Sequence, residues 1–317
     1  MKQTIDPHSL SGPQFKAAFC YGIKQLSLNR ESVNAINILP VPNGDTGDNI
    51  RKTLLFALSE MKDERHIGNQ ARQCARGALL GARGSSGIIL ANFLIGFQTA
   101  IKDSEKIPVK DLIYAIKKGC EKVKAETGNS FEGSMADVCS AINAKLSSTQ
   151  IADQTLVYAM KVIYDIASRA LEETRLRNAL LSKIGINDAG AAGFFYFIEG
   201  MYRYTLDIPL RRIKTETSLS SVPEDILIKG VLYTVEFLIN NVTLPVEEIK
   251  KSLSDIGSFL LLAHEGGDTV KVLIRTTDPR KVFDRSARFG RSNMIRIDDL
   301  IDEQRYFLSR ISNKDVV

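Results

Sequence analysis

Apolar residues recur at steps of three and four positions through the first two thirds of the chain. Between Ile50 and Met61 they fall on one face of a helix while charged residues fall on the other, and the stretch from Leu156 to Ala170 has the same spacing. Similar patterns predict further helices over residues 12–30, 68–80, 85–102, 108–125, 133–146, 174–184 and 190–204. Eight or nine consecutive helices without convincing strands predict an all-α first domain over residues 1–206.

The pattern changes after Tyr204. Residues 207–225 contain Pro209, a cluster of basic residues and a run of serines, which is typical of a linker. Beyond it, β-type runs predict strands over residues 230–239, 259–263, 270–276 and 294–297. Helix patterns follow Pro245 and Pro279, and proline suits the first turn of a helix. Residues 226–317 are therefore predicted to form a small α+β domain that ends in a connector over residues 309–317.

Length suggests the number of domains, and charge excludes two kinds of binding surface. The chain has 317 residues, with 42 Lys+Arg against 37 Asp+Glu and a formal charge of +5. This length suggests roughly two domains of about 150 residues each. The small positive excess, without a run of like charges, predicts no nucleic-acid surface and no polybasic membrane anchor.

The compartment is predicted from three further features. The longest apolar run, residues 87–97, is interrupted by Asn92 and is shorter than the roughly 20 residues of a membrane span. The first residues lack the apolar segment of a signal peptide. The cysteines are scattered, without CxxC spacing, at Cys20, Cys74, Cys120 and Cys139. We expect them to be reduced packing residues in a cytoplasmic protein.

Oxygen-bearing side chains are concentrated between two predicted helices, in residues 37–49. This segment carries two prolines, two glycines and the possible ligands Asn37, Asn43, Asp45, Asp48 and Asn49. Carboxylate and amide oxygens suit Mg²⁺, which takes one or two carboxylates and completes its shell with water and phosphate oxygens. The alternative is that Asp45 or Thr46 merely caps the following helix.

Three more glycine-bearing segments precede predicted helices. Residues 77–87 include Arg83, Gly84, Ser85, Ser86 and Gly87, residues 131–135 include Gly133 and Ser134, and residues 186–193 include Asp188 and Gly190. Backbone N–H groups at a helix start bind anions, and glycines let a phosphate approach them. Each segment alone is more typical of a turn. Together they predict helix N-termini that converge at one end of a bundle.

The order of these segments carries a family resemblance. NILPVPNGDTGDN, GALLGARGSSGIIL, FEGSM and NDAGAAGFFYFIEGM resemble the nucleotide-binding domain shared by dihydroxyacetone-kinase L-type (DhaL) proteins and the bacterial fatty-acid kinase of the FakA type. LYTVEF and DTVKVLIRTTDPRKVFDRSARFG resemble the middle domain of the latter, so the resemblance covers nearly the whole chain. It implies an antiparallel helical barrel (DhaL-like) that holds ATP and two Mg²⁺ ions at one end, followed by the small α+β domain.

The resemblance also implies roles for individual residues. Asp45 and Arg83 take catalytic positions. The positions expected to hold Mg²⁺ are Asn43 and Asp45, which match the family's metal loop, and Asp48, which is added because its carboxylate lies three residues after Asp45. The positions expected to border ATP are Asn49, Gly84, Ser85, Ser86, Gly87, Gly133, Ser134, Asp188 and Gly190.

The chain departs from the family pattern at several of these positions. Asn43 stands where the family has an aspartate, and Asp48, where the family usually has threonine, could restore one carboxylate. The family's middle domain carries a cysteine and a His-x-His pair, where this chain has Thr234, Leu273 and Arg275. None of these three is a good zinc ligand, so no zinc is predicted.

Two functions follow as hypotheses. The first is a Mg-ATP-dependent kinase subunit that phosphorylates an acyl substrate presented by a DegV-like fatty-acid-binding protein, which in some relatives is a fused domain. The second is a nucleotide-binding regulatory or scaffold protein whose catalysis is weakened at Asn43. A homodimer is compatible with both.

Overall fold

The computed structural model describes residues 6–101, 103–128, 134–148, 154–213 and 222–312. Within these ranges the first two thirds of the chain form nine helices. Their bounds are α1 Gly12–Ala35, α2 Thr46–Glu60, α3 Ile67–Gly81, α4 Gly84–Thr99, α5 Val109–Thr127, α6 Met135–Ser148, α7 Leu156–Arg177, α8 Ala179–Ile184 and α9 Ala189–Thr205.

The helices pack in a closed ring. Each long helix contacts the next along the chain, and α9 closes the ring by packing against both α7 and α1. Glycine permits the close crossing of α1 and α9: a Cβ added at Gly22 would lie 2.5 Å from the ring of Phe197, and one added at Gly200 would lie 2.6 Å from the Cα of Gly22. The interior is one apolar core, with Phe15, Phe19 and Phe194 among its largest fully buried side chains. The predicted helical barrel is confirmed.

The prediction missed two local features of this domain. A short antiparallel ribbon pairs β1 (Ser9–Ser11) with β2 (Lys106–Pro108), and strands this short leave little pattern in a sequence. The helix predicted over 174–184 is instead the end of α7 followed by α8. Asn178 separates them because its Oδ1 accepts hydrogen bonds from the N–H groups of Leu180 and Leu181, which starts a new helix.

The second domain is a four-stranded antiparallel sheet with the order β4-β5-β3-β6. Its elements are β3 Tyr233–Asn240, α10 Val246–Leu253, β4 Phe259–His264, β5 Val270–Thr276, α11 Pro279–Ser286, β6 Arg291–Asp299 and α12 Leu300–Ser312. A 3-10 turn at Glu224–Ile226 precedes them. The observed strand β6, Arg291–Asp299, is longer than the strand predicted over 294–297. The connector predicted over 309–317 stays a prediction, although its described residues, 309–312, form the end of α12. The buried residues Leu300, Phe307 and Ile311 of α12 recur at helical spacing.

The two faces of the sheet contact different partners. On one face, Val235, Phe237 and Ile239 pack with α10 and α11 in a separate small core. The other face lies on the helical domain, whose core includes Leu261 and Leu273. Asn92, buried on α4, donates a 2.8 Å hydrogen bond to the carbonyl of Leu262. The sheet is therefore held directly against α4, while the domain boundaries at 206 and 226 stay predictions.

The start of the predicted linker lies on the helical domain. The side chain of Glu199, only 1% exposed, accepts hydrogen bonds from Gln25 Nε2 at 2.8 Å, Arg203 Nε at 3.1 Å and Arg211 Nε at 2.9 Å. The N–H of Ile213 donates to Asn29 Oδ1 at 2.7 Å. Residues 211–213 are thus anchored to α1 and α9, and residues 214–221 lie outside the described residues.

The sequence predicts no membrane span, and it predicts reduced cysteines. Within the described ranges, no helix is both long and apolar enough to span a bilayer. The cysteines are free, with Cys20 half-buried and Cys74, Cys120 and Cys139 buried in the helical core.

We predict that Glu199→Ala lowers the free energy of unfolding by about 3 kcal/mol, because it leaves buried partner groups without their carboxylate. The matched control is Glu31→Ala. The Glu31 side chain is 67% exposed and pairs with Arg212 at 3.1 Å, so its loss should change the free energy by less than about 1 kcal/mol. Urea unfolding of the two variants checks this, and equal losses would contradict it.

Candidate functional site

A polar cavity lies between the helical domain and the sheet, and both contribute to its wall. The helical domain contributes the loop before α2 and the start of α4, through Asn37, Leu39, Pro40, Val41, Asn43, Asp45, Thr46, Asn49, Gly84, Ser85 and Ser86. The second domain contributes β3, β5, β6 and α12, through Thr234, Glu236, Leu273, Arg275, Arg296, Asp298, Leu300 and Glu303.

The loop before α2 is held in shape by its own side chains. Asn37 is 2% exposed, and its Oδ1 accepts hydrogen bonds from the N–H groups of Asp45 and Thr46, both at 3.0 Å. Gly44 has a φ of +67°, and the ring of Phe307 fills the space that a side chain there would need. Asn37 therefore braces the loop, and α12 covers it.

Asp45 occupies the N-cap position of α2, but its side chain makes no capping hydrogen bond. Its Oδ2 instead accepts a 2.8 Å hydrogen bond from Asn49 Nδ2, and both residues line the cavity. Burial raises the pKa of the Asp45 carboxyl, and the contact with Asn49 opposes that rise. The capping alternative thus does not account for this carboxylate, which is available to a ligand.

The structure does not bring Asp48 to the cavity. Its Oδ2 accepts a 2.7 Å hydrogen bond from Asn34 Nδ2, and its Oδ1 lies 3.5 Å from the guanidinium of Arg30. Both partners belong to α1. The prediction that Asp48 replaces the carboxylate missing at Asn43 therefore has no support from its position.

The start of α4 faces the cavity with Gly84, Ser85 and Ser86. Gly84 has a φ of +61°, and a Cβ there would lie 2.5 Å from Asn49 Nδ2, so α2 and α4 meet at this glycine. The N–H of Gly84 donates a 2.8 Å hydrogen bond to Glu236 Oε1. The start of α4, where a helix favours negative charge, is therefore in contact with a carboxylate of the second domain.

The remaining predicted positions that the structure describes lie near this helix start but outside the cavity wall. A Cβ at Gly190 would lie 3.9 Å from that of Met135 and 4.0 Å from that of Ser86, so the starts of α4, α6 and α9 converge. Ser134 precedes α6, and Gly133 lies outside the described residues. A Cβ at Gly87 would lie 2.5 Å from Thr53 Oγ1, so this glycine packs against α2.

Arg83 lines a neighbouring groove instead. Its N–H donates to Thr53 Oγ1 at 3.1 Å, while the groove also contains Lys52, Lys271 and Arg296. Positive charge from this groove therefore lies beside the cavity.

The sequence analysis missed most of the second domain's contribution. In the sheet, Glu236 is paired with Arg296 and Thr234 with Asp298, so all four share the face that lies on the helices. Charged residues at alternate positions of otherwise apolar strands were the available signal. Thr234, Leu273 and Arg275, which match the family's Cys and His-x-His positions, all line the cavity.

Several charged groups of the second domain are only partly paired. Burial lowers the pKa of Arg275 to about 10, and its guanidinium lies 4.1 Å from the ring centroid of Phe259. Burial raises the pKa of Glu303 to about 7, although Asn43 Nδ2 donates a 2.9 Å hydrogen bond to its Oε2. Glu236 is 2% exposed, and its Oε2 makes no hydrogen bond. Its nearest ion-pair partner is Lys271 Nζ at 3.9 Å.

The donors present suit a hard cation that brings other ligands with it. In the part of the chain that is described, no three His, Cys, Asp or Glu side chains form a metal site by themselves. The cavity offers the Asp45 carboxylate and the amide oxygens of Asn43 and Asn49. Mg²⁺ needs only one or two carboxylates when phosphate and water complete its shell, so these residues fit it.

Comparison with known proteins identifies the family. A family model described as the DAK2 domain matches residues 40–203, more than half of the chain. The chain belongs to the DAK2 domain family. After this DAK2 domain, a model of the middle domain of FakA-like fatty acid kinases matches residues 230–306. The family predicted from the sequence motifs is confirmed for both parts.

The relatives of this DAK2 chain are longer than it is. Uncharacterized proteins of Staphylococcus epidermidis (strain ATCC 12228 / FDA PCI 1200) and Staphylococcus aureus (strain USA300) are both 26% identical to it. The matches cover 93% of this chain but only 56% and 57% of the relatives. The crystal structure of the dihydroxyacetone kinase of C. freundii (native form) matches with a TM-score of 0.43 and 15% identity, over 64% of this chain and 36% of that one.

We predict a pH-dependent effect of Asp188→Asn in the DAK2 domain. Asp188 caps α9, since its Oδ1 accepts a 2.7 Å hydrogen bond from the N–H of Ala191, and burial raises its pKa from 3.8 to about 7. A raised carboxyl pKa means that the wild type loses stability as pH rises from the unfolded pKa to the folded one. Asparagine keeps the cap and carries no charge. The melting temperature of Asp188→Asn should therefore exceed that of wild type increasingly between about pH 4 and pH 7, and the difference should level off above.

Asp188→Ala is the control for this prediction. It removes the cap as well as the charge, so it should destabilise the protein by about 1 kcal/mol at about pH 4, where Asp188→Asn is near neutral. A difference between Asp188→Asn and wild type that does not change with pH would contradict the assignment.

Proposed function

We propose that this chain is the Mg-ATP-dependent phosphotransfer subunit of a fatty-acid-kinase-like system in the cytoplasm. Its acceptor is an acyl substrate presented by a DegV-like binding protein, either separate or fused. The observation that supports this most is the position of Asp45. Its carboxylate makes no capping hydrogen bond to α2 and lines the cavity, beside the converging starts of α4, α6 and α9. The matches to the DAK2 and FakA-like models support the same class of reaction.

Phosphoryl transfer requires positioning and charge neutralisation more than a protein nucleophile. Asp45, with the amide oxygens of Asn43 and Asn49, would hold Mg²⁺, and the bound Mg-ATP supplies the phosphoryl group. Ser85, Ser86 and the backbone N–H groups at the start of α4 would bind phosphate oxygens. Apart from the N–H of Gly84, which already donates to Glu236, these donors are fixed by the fold before a ligand arrives, which favours electrostatic stabilisation of a charged transition state.

Arginines at the cavity add positive charge where it is needed. Arg275 and Arg296 enter from the sheet, and Arg83 lies in the adjoining groove. A guanidinium can bind two phosphate oxygens at once. We assign Arg83 to the catalytic group with Asp45, as the family motif implies, and the two sheet arginines to nucleotide binding.

The kinase proposal is tested by ADP release in the presence of ATP, Mg²⁺, the DegV-like protein and fatty acid. Asp45→Asn should lower the rate by about 10²-fold, because it removes the carboxylate that holds the metal. Asp48→Asn is the matched control, since it deletes a carboxylate three residues away that bonds to α1 and should change the rate less than about threefold. Equal rates for wild type and Asp45→Asn would overturn the proposal.

The second candidate function is a nucleotide-binding regulatory or scaffold protein. Asn43 favours it, because an amide supplies no charge to hold a second Mg²⁺. Under this alternative the wild type binds ATP without turnover, and Asn43→Asp restores ADP release in the same assay.

One contact must open before phosphate reaches the first N–H of α4, since Glu236 already accepts from Gly84. We predict that Glu236→Gln binds ADP about tenfold more tightly than wild type in the presence of EDTA, a gain of about 1.4 kcal/mol. The variant keeps an acceptor for Gly84 but loses the charge that repels phosphate. Isothermal titration calorimetry measures the affinity. Glu31→Gln, which removes an exposed charge elsewhere, should leave it unchanged.

A further inference from the structure

We propose that Glu303 supplies the carboxylate that Asn43 lacks, so that Asp45 of the helical domain and Glu303 of the second domain together hold one divalent cation. This inference rests on the proposed function and adds to it a metal ligand from α12. It also assigns the second domain a direct part in the metal site.

The position of Glu303 is the first argument. Asn43 Nδ2 donates a 2.9 Å hydrogen bond to Glu303 Oε2, so the carboxylate lies beside the residue that carries no charge. Asp48, the carboxylate within the loop itself, is turned away to α1. Of these two candidates to replace the missing charge, Glu303 is the one that lines the cavity with Asp45.

Packing of α12 fixes Glu303 in this place. One turn further along the helix, the ring of Phe307 occupies the space that a side chain at Gly44 would need, in the loop before α2. Gln304, which directly follows Glu303, is 6% exposed, and its Oε1 accepts a 2.8 Å hydrogen bond from the N–H of Ile228. The helix is therefore held on both sides, and Glu303 needs no rearrangement of the backbone to face the loop.

The charge of the cavity is the second argument. Its described wall contains four carboxylates, Asp45, Glu236, Asp298 and Glu303, and two guanidinium groups, Arg275 and Arg296. Lys271 in the adjoining groove pairs with Glu236 at 3.9 Å, so one negative charge remains in excess, and a divalent cation would neutralise it. A partly buried group of like charges is unfavourable unless such a partner is present.

Unused hydrogen-bonding capacity points to the same partner. Glu236 Oε2 is buried on the cavity wall and makes no hydrogen bond. Arg296 Nε lies 2.5 Å from Asp298 Oδ2, whereas its Nη2 is 4.0 Å from Glu303 Oε1. Arg296 is thus committed mainly to Asp298, and the hydrogen-bond partner of Glu303 is the neutral amide of Asn43. Magnesium or manganese takes two carboxylates with amide, water and phosphate oxygens.

Manganese binding to the full chain tests the inference without reference to turnover. Electron paramagnetic resonance measures free Mn²⁺ at about pH 8, above the raised pKa of Glu303, with and without ADP. Glu303→Gln should weaken Mn²⁺ binding by about tenfold or more, because one of two charged ligands is lost. Asp48→Asn should bind within about twofold of wild type, since its carboxylate faces α1.

A double variant with exchanged side chains controls for loss of binding through misfolding. In Asn43→Asp combined with Glu303→Gln, the amide and the carboxylate exchange places, so a hydrogen bond between positions 43 and 303 can still form. This double variant should recover Mn²⁺ affinity to within about threefold of wild type.

The outcomes separate this inference from the proposed function. If Glu303→Gln binds Mn²⁺ as tightly as wild type while Asp45→Asn does not, the role of Glu303 is overturned and the metal-dependent kinase survives. A folded double variant that fails to recover affinity also overturns it. If wild type binds no Mn²⁺ even with ADP, both proposals fall.

Discussion

The backbone N–H of Gly84 donates a 2.8 Å hydrogen bond to the carboxylate of Glu236, and this contact joins the start of α4 to the sheet of the second domain. A helix start carries partial positive charge and unsatisfied N–H groups, so a carboxylate is well placed there. Together with the hydrogen bond from Asn92 to the carbonyl of Leu262, it holds the charged face of the sheet opposite the loop of Asp45. The two domains therefore form one site, in which neither wall is complete without the other.

Such a site carries an energetic cost that packing elsewhere must offset. Charges such as Glu236 and Lys271 are almost fully removed from water, at 2% and 3% exposure, and are separated by 3.9 Å. Buried ion pairs seldom stabilise a fold relative to apolar residues, because the loss of hydration is large. The apolar core on the other face of the sheet, around Phe237, and the contact of Leu261 with the helical core hold these charges in place. Charged residues kept in this position are consistent with a role in ligand binding.

Most helices of the first domain could be predicted from apolar spacing, whereas their closure into a barrel was implied by the family resemblance. The loop of Asp45 and the start of α4 could be located from their glycines and oxygen-bearing side chains. The other wall of the cavity could not be predicted. Glu236 and Glu303 lie far along the chain from the loop of Asp45, and they come near it only when the sheet packs on α4. The alternation of Glu236 with apolar residues in β3 is a signal of a polar face that the sequence analysis did not use, and it does not show what that face contacts. The orientation of the Asp48 side chain could not be predicted either, because it depends on a hydrogen bond from Asn34 of a different helix.

The contact between Gly44 and the ring of Phe307 has a consequence for the history of the family. A side chain at position 44 would meet both an unfavourable φ of +67° and the aromatic ring, so neither residue can be replaced freely while the other stays. Among descendants of a common ancestor, substitutions at these two positions should therefore occur together. Lineages with a smaller residue at 307 would tolerate at 44 a residue such as asparagine, which accepts this φ, and this covariation would link two positions, one in each domain, that lie more than two hundred residues apart in the sequence.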